Sequence, residues 1–128
     1  MIFVRQFEID IKNRTHALAE VCDILARLNI NIKGVATEAT KGGVRVKLVT
    51  DDENNTREAL KGRNIEFREF EIISARLPDR PGELARLSKA MANLNIGVES
   101  IFLMHKENGF AELAMKVDNL NEARKLLE

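Results

Sequence analysis

The chain has no tryptophan, no tyrosine, a single cysteine, two prolines and no net charge. Each shortage excludes something. Cys22 alone cannot form an internal disulfide, so a secreted, disulfide-stapled scaffold is ruled out. Twenty basic residues balance twenty acidic ones. The balance holds in each half, with eleven basic and ten acidic residues in 1–66 and nine and ten in 67–128. A nucleic-acid binder concentrates positive charge on one face or tail, and the six phenylalanines here form no basic-aromatic pattern. No nucleic-acid partner is expected. No apolar run approaches the roughly 18 residues that cross a bilayer, and Met1-Ile2-Phe3-Val4-Arg5 lacks the parts of a signal peptide. The expectation is a cytoplasmic protein with no membrane partner. Two histidines and one cysteine do not supply the spacing of a zinc or copper site, so neither metal nor cofactor is expected.

Hydrophobic residues make up 45% of the chain and charged residues 31%, a composition suited to globular folding. Its dominant feature is an internal repeat. Shifting the chain by 66 positions aligns Arg14 with Arg80, Leu18-Ala19 with Leu84-Ala85 and Ala26 with Ala92. The same shift aligns Leu28-Asn29-Ile30 with Leu94-Asn95-Ile96, and Gly43 with Gly109. Those eight identities between 13–43 and 79–109 exceed the roughly two that composition alone would give. The chain is a module written twice.

Both copies carry the same order of elements. Phe7, Ile9 and Ile11 alternate with Glu8 and Asp10, the pattern of a half-buried strand. Leu18, Val21, Cys22, Leu25 and Leu28 recur at helical spacing and predict one core-facing stripe. Ile30 and Ile32 open a second strand, Lys41-Gly42-Gly43 reads as a hairpin turn, and Val44, Val46 and Leu48 alternate in a third. Thr56 is expected to cap a short helix that Gly62 stops, and Ile65 and Phe67 begin a fourth strand. In copy two, Ile73, Ala75 and Leu77, then Leu84, Leu87, Met91 and Leu94, then Ile96 and Val98 repeat this order. The hairpin at Asn108-Gly109, the alternation Ala111, Leu113, Met115, Val117 and a helix over Leu120 to Leu127 complete it. The reading is α+β: two ferredoxin-like β-α-β-β-α-β modules, antiparallel sheets side by side with helices on one face.

The domains expected are 1–66 and 67–128. Copy two ends on its second helix, so it lacks a fourth strand, while Met1 to Val4 precede the first strand of copy one. These residues are expected to supply the missing strand, because an open sheet edge is an aggregation hazard. The segment Ile65 to Leu77 has no turn signal and reads as one strand serving both copies.

Asp79-Arg80-Pro81-Gly82-Glu83-Leu84 joins the first strand of copy two to its first helix. Asp79 suits a helix cap, Pro81 is tolerated in a first turn, and Gly82 lets a ligand approach the backbone. Free amides at a helix amino terminus bind carboxylates, and Asp79 could accept from an ammonium group. Such a loop could receive both charged ends of a free amino acid. It could equally be a turn and cap with no further role. His16 and His105 read as solvated, Cys22 as core, and Asp51-Asp52-Glu53 as a turn with Asp118 in the matching place.

An Asp-Arg-Pro-Gly-x-Leu-Ala loop opening the first helix, with Asn-Ile-x-Val opening the second strand, resembles the ACT domain. Copy two shows it as Asp79 to Ala85 and Asn95-Ile96-Gly97-Val98, and the likeness extends through both copies. What the resemblance implies is an amino-acid-sensing regulatory module, not a catalyst, with modules paired side by side. It implies a site of Asp79, Pro81, Gly82, Glu83 and Leu84 facing Asn29, Ile30, Asn31 and Ile32. Its counterpart is Asn13, Thr15, His16, Ala17 and Leu18 facing Asn95, Ile96, Gly97 and Val98. Copy one departs from the pattern, with a neutral Asn13 and a bulky His16, so its site binds weakly, differently or not at all. The partners implied are a free amino acid, a second copy in a homodimer, and a metabolic enzyme. A purely structural subunit, or a small enzyme on the same scaffold, are the alternatives, though no nucleophile, base or phosphate loop stands out.

Overall fold

A computed structural model describes residues 2–127, with side chains described through Leu126. Ten elements follow in chain order: β1 (Ile2–Ile11), α1 (Ala17–Arg27), β2 (Ile32–Thr40), β3 (Gly43–Thr50) and α2 (Glu53–Gly62). Then come β4 (Arg68–Pro78), α3 (Glu83–Asn93), β5 (Val98–Glu107), β6 (Phe110–Val117) and α4 (Leu120–Leu127). Six antiparallel strands and four helices run β-α-β-β-α twice in chain order, and with β1 and β4 each shared they make two ferredoxin-like β-α-β-β-α-β modules. No helix among the described residues is long and apolar enough to cross a membrane.

The chain divides into two compact units, Arg5–Phe70 and residues 2–4 with 71–127. In the first, the strand order is β2-β3-β1, with the opening residues of β4 following β1. Alternation sets its register: Ile9 lies opposite Val46 and Val35 opposite Leu48. Phe7 and Ile9 from β1, Val21 and Leu25 from α1, Val46 and Leu48 from β3, with Ile30 and Leu60, form its core. In the second, the order is β5-β6-β4, with residues 2–4 following β4. Its core joins Ile73 and Ala75, Leu87 and Met91, Leu113 and Met115, with Ile96 and Ala123. Phe3 packs against that core, with the Arg124 guanidinium 3.9 Å above its ring centroid.

Three helices end in the same way. Asn29, Asn64 and Asn95 adopt left-handed backbone angles, with φ of 56°, 56° and 58°. In each case the next residue's amide returns to a carbonyl in the last turn: Ile30 to Leu25, Ile65 to Leu60 and Ile96 to Met91, all at 3.0 Å. Asparagine tolerates the left-handed region better than other residues with a side chain, and the isoleucine that follows turns into the core. The Leu-Asn-Ile repeat is this helix terminator.

Several local expectations are corrected. Asp52, not Thr56, caps α2, accepting from the Asn55 amide at 3.0 Å. Thr56 is buried inside the helix, where its Oγ1 donates to Asp52 O at 2.8 Å. Gly62 lies within α2, and Asn64 makes the reversal. Leu18 and Leu28 are 45% and 52% exposed, and the core side of α1 is Ala17, Val21, Ile24 and Leu25. At 3.6 residues per turn Leu18 stands about 100° round from Ala17, at the flank of the stripe. Finally, β5 carries an extra residue. Its pairing shifts between Leu103 and His105, so Gly109 stands where Gly42, not Gly43, stands in the first hairpin.

Candidate functional site

The loop between β4 and α3 is exposed, and its residues are held mostly by one another. Asp79 donates its amide to Gly109 O at 2.9 Å and holds Lys106 Nζ at 3.3 Å. It does not cap α3, as the sequence suggested. The residue at that position is Gly82, whose φ of 90° favours glycine and whose missing side chain leaves open space. The anionic side chain at this helix end is Glu83 instead. It is 7% exposed and accepts from Arg80 Nε at 2.6 Å, with Arg86 Nη2 at 3.8 Å. The Arg80 hydrogen bond, with the charges of Arg80 and Arg86, holds the Glu83 carboxyl below the ordinary glutamate range. A carboxylate in a first turn also meets the positive end of the helix dipole. No acceptor among the described residues pairs with the backbone N–H of Leu84 or Ala85. Pro81 and Leu84 are both exposed.

The corresponding loop before α1 is closed on itself. Asn13 Oδ1 accepts from the Thr15 amide at 3.2 Å and from Thr15 Oγ1 at 3.0 Å. The same hydroxyl lies 2.9 Å from His16 Nδ1, and the His16 amide donates to Asn13 O at 3.3 Å. His16 occupies the cap position without a side-chain cap bond. Ala17 is buried and Leu18 exposed. Asn13 therefore spends its oxygen locally, whereas Asp79 retains an exposed carboxylate.

The strand-opening segments contribute less than their identity suggests. Ile30 and Ile96 are buried. The Asn31 amide donates to Asp51 Oδ1 at 3.0 Å, and the Asp51 amide returns to Asn31 O at 3.1 Å. Gly97 and Asp118 repeat this clasp at 2.8 and 3.0 Å. Asp51 and Asp118 are thus structural, as their matched places suggested. What remains outward is Asn29, Asn31, Asn95 and Val98, all exposed, with Ile32 and Gly97 half-buried.

Periodicity did not disclose which apolar residues stay uncovered. Leu18 and Leu84, Leu28 and Leu94, and Val35 and Ile101 are all exposed, each pair 66 positions apart. In each unit these positions fall in the first turn of the first helix, just past its last turn, and on the edge strand, β2 or β5. Val98 and Leu103 on β5 are exposed as well.

The ACT domain family model matches residues 5–61. No curated protein matches the chain. Among solved structures, the protein BT0572 from Bacteroides thetaiotaomicron superposes with a TM-score of 0.90 at 20% identity, covering 98% of this chain and 86% of that one. The regulatory subunit of aspartate kinase from Thermus flavus superposes at 0.65 and 15% identity, covering 88% and 81%. That from Thermus thermophilus, in a ligand-free form, gives 0.62 and 16%, covering 88% and 82%. At such identities the likeness is one of fold.

Proposed function

We propose that the chain is a cytoplasmic, non-catalytic regulatory protein of tandem ACT modules that senses a free amino acid. Under this reading a second copy covers the exposed apolar residues and completes the site. The observation that carries it is the repetition of exposed apolar residues at Leu18/Leu84, Leu28/Leu94 and Val35/Ile101, together with a helix end whose amides are unpaired. The ligand carboxylate would be received by the Leu84 and Ala85 amides, where the helix dipole favours an anion. Its ammonium would take Asp79 from Lys106, an exposed pair and therefore cheap to displace. Pro81, Gly82 and Glu83 shape this side. Asn29 to Ile32 of the second copy would supply the other, chiefly through Asn31 and Ile32.

The loop of Asn13, Thr15, His16, Ala17 and Leu18, with Asn95 to Val98 of a second copy, would make a weaker site because Asn13 carries no charge and its oxygen is held by Thr15, although the Leu18 and Ala19 amides are as free as those of Leu84 and Ala85. The likeness to regulatory subunits of aspartate kinase supports an enzyme of metabolism as the regulated partner. Occupancy would act by favouring one arrangement of the copies, to the extent that affinity differs between arrangements.

Thermal melting with each proteinogenic amino acid tests the reading. A ligand at about a hundred times its dissociation constant should add roughly 2.7 kcal/mol. If no amino acid shifts the melt, sensing by this protein alone is wrong. A silent screen with tight co-purification of an enzyme would favour a purely structural subunit.

A further inference from the structure

In each unit the loop before the first helix is tied to the hairpin of that same unit, but by a different group. In the second unit the Asp79 amide donates to Gly109 O at 2.9 Å. In the first, Arg14 Nη2 donates to Thr40 O at 2.6 Å. Both loops are therefore anchored on a hairpin carbonyl. The ion pair of Lys106 with Asp79 is additional to that anchor. Its Nζ lies 3.3 Å from Asp79 Oδ1, with the two side chains 55% and 42% exposed.

The two copies differ here in a matched way. The last strand pairs before the turns are Thr40 with Gly43 and Glu107 with Phe110. One step further in, Ala39 faces Val44 and Lys106 faces Ala111, so Ala39 stands in the first unit where Lys106 stands in the second. Asn13 stands where Asp79 stands. The copy with the aspartate carries an ammonium on its hairpin, and the copy with the neutral asparagine carries a methyl group. The neighbouring carboxylates are engaged elsewhere. Glu83 accepts from Arg80 Nε at 2.6 Å with Arg86 Nη2 at 3.8 Å, and Glu107 lies 3.1 Å from His105 Nε2.

We propose, resting on the amino-acid-sensing reading above, that Lys106 is a tethered competitor at this site. Its primary ammonium occupies the place on Asp79 that the ammonium of a free amino acid must take. Only an interaction that differs between the free and the bound protein changes affinity. The Lys106 pair is such an interaction, because Asp79 exchanges one ammonium for another. It raises the concentration at which the site fills, and the loop keeps its anchor through the Asp79 amide when the pair breaks. An exposed ion pair is a weak contact, so the threshold rises by about twofold to fivefold. Lys106 thus tunes the response range while the backbone amides that receive the carboxylate stay as they are.

Melting titrations of the full chain with each proteinogenic amino acid, on wild type and Lys106→Met, test it. For an amino acid that shifts the melt, the half-saturating concentration should fall about twofold to fivefold in Lys106→Met. Lys106→Arg, which keeps a cation, should stay near wild type. Without amino acid Lys106→Met should melt below wild type, and at saturation the two should melt together, so the shift widens. In an Asp79→Asn background Lys106→Met should leave the amino-acid-free melt unchanged. A pair that only braces the loop would lower the free and the saturated melt equally, leaving the half-saturating concentration where it was. That result, or an effect of Lys106→Met that persists without Asp79, would overturn the competitor and leave sensing intact. Silence of both wild type and Lys106→Met toward every amino acid would overturn sensing, and the competitor with it.

Discussion

Asp118 Oδ1 holds the Gly97 amide at 2.8 Å, and a methyl group at Gly97 would lie 2.5 Å from the other oxygen of that carboxylate. The carboxylate cannot withdraw without releasing the amide. Gly97→Ala should therefore cost about 1–3 kcal/mol, measured by chemical denaturation. Asp118→Ala should cost a similar amount by leaving the amide unpaired. The double variant should cost less than the sum, since one clasp is lost in both. Strict additivity would argue that the two residues do not act on each other.

Acid stability should depend on Glu83. Its native carboxyl lies below the ordinary glutamate range because Arg80 hydrogen-bonds it, so the unfolded chain takes the proton more readily. The stability this supplies is complete above the unfolded value near ~4.3 and is lost as pH falls through the lower native value. Glu83→Gln should destabilise the protein at neutral pH, and its gap from wild type should shrink as pH falls below about 4. A gap that stays constant down to acid unfolding would contradict this assignment.

Residues 2–4 should stabilise the second unit rather than the first. Phe3 is half-buried against the core of Ile73, Met91, Leu113, Met115 and their neighbours, beneath Arg124. Phe3→Ala should cost about 1–3 kcal/mol, less than for a fully buried phenylalanine. Hydrogen exchange should quicken in β6 and α4 and stay unchanged in α1. Equal quickening of α1 would refute this placement.

Leu94→Glu tests whether the exposed apolar positions are used. Leu94 is 41% exposed, so a charge there should change monomer stability by no more than about 0.5 kcal/mol. If a second copy completes the amino-acid site, the ligand-induced melting shift should disappear. Persistence of the full shift would place the ligand elsewhere.

Much of the fold was legible because its signals are local. Alternation fixed which side of β1 and β3 faces inward, and Leu28-Asn29-Ile30 advertised a helix end that the structure draws twice more. The site was less legible because its decisive facts are not local. Helical spacing cannot separate the centre of a stripe from its flank, so Leu18 and Leu84 were read as core although they lie exposed. Asp79 has the composition of a cap, but Lys106 from the next hairpin engages it and Glu83 supplies the anion at the helix end. A gapless shift could not show the extra residue in β5. Asp51 and Asp118 were recognisable as a matched pair, yet the amides they hold are known only from the fold.

The passage of β1 from the second unit into the first has a consequence for how the protein is made. Residues 2–4 leave the ribosome ahead of Arg5–Phe70 but belong with residues synthesised after it. At about 5–20 residues per second, Ile2, Phe3 and Val4 wait several seconds for the strand and helix they will meet. For that interval the nascent chain exposes a short apolar β-forming segment on an otherwise completed unit. Mispairing of this segment should therefore be sought on crowded polysomes.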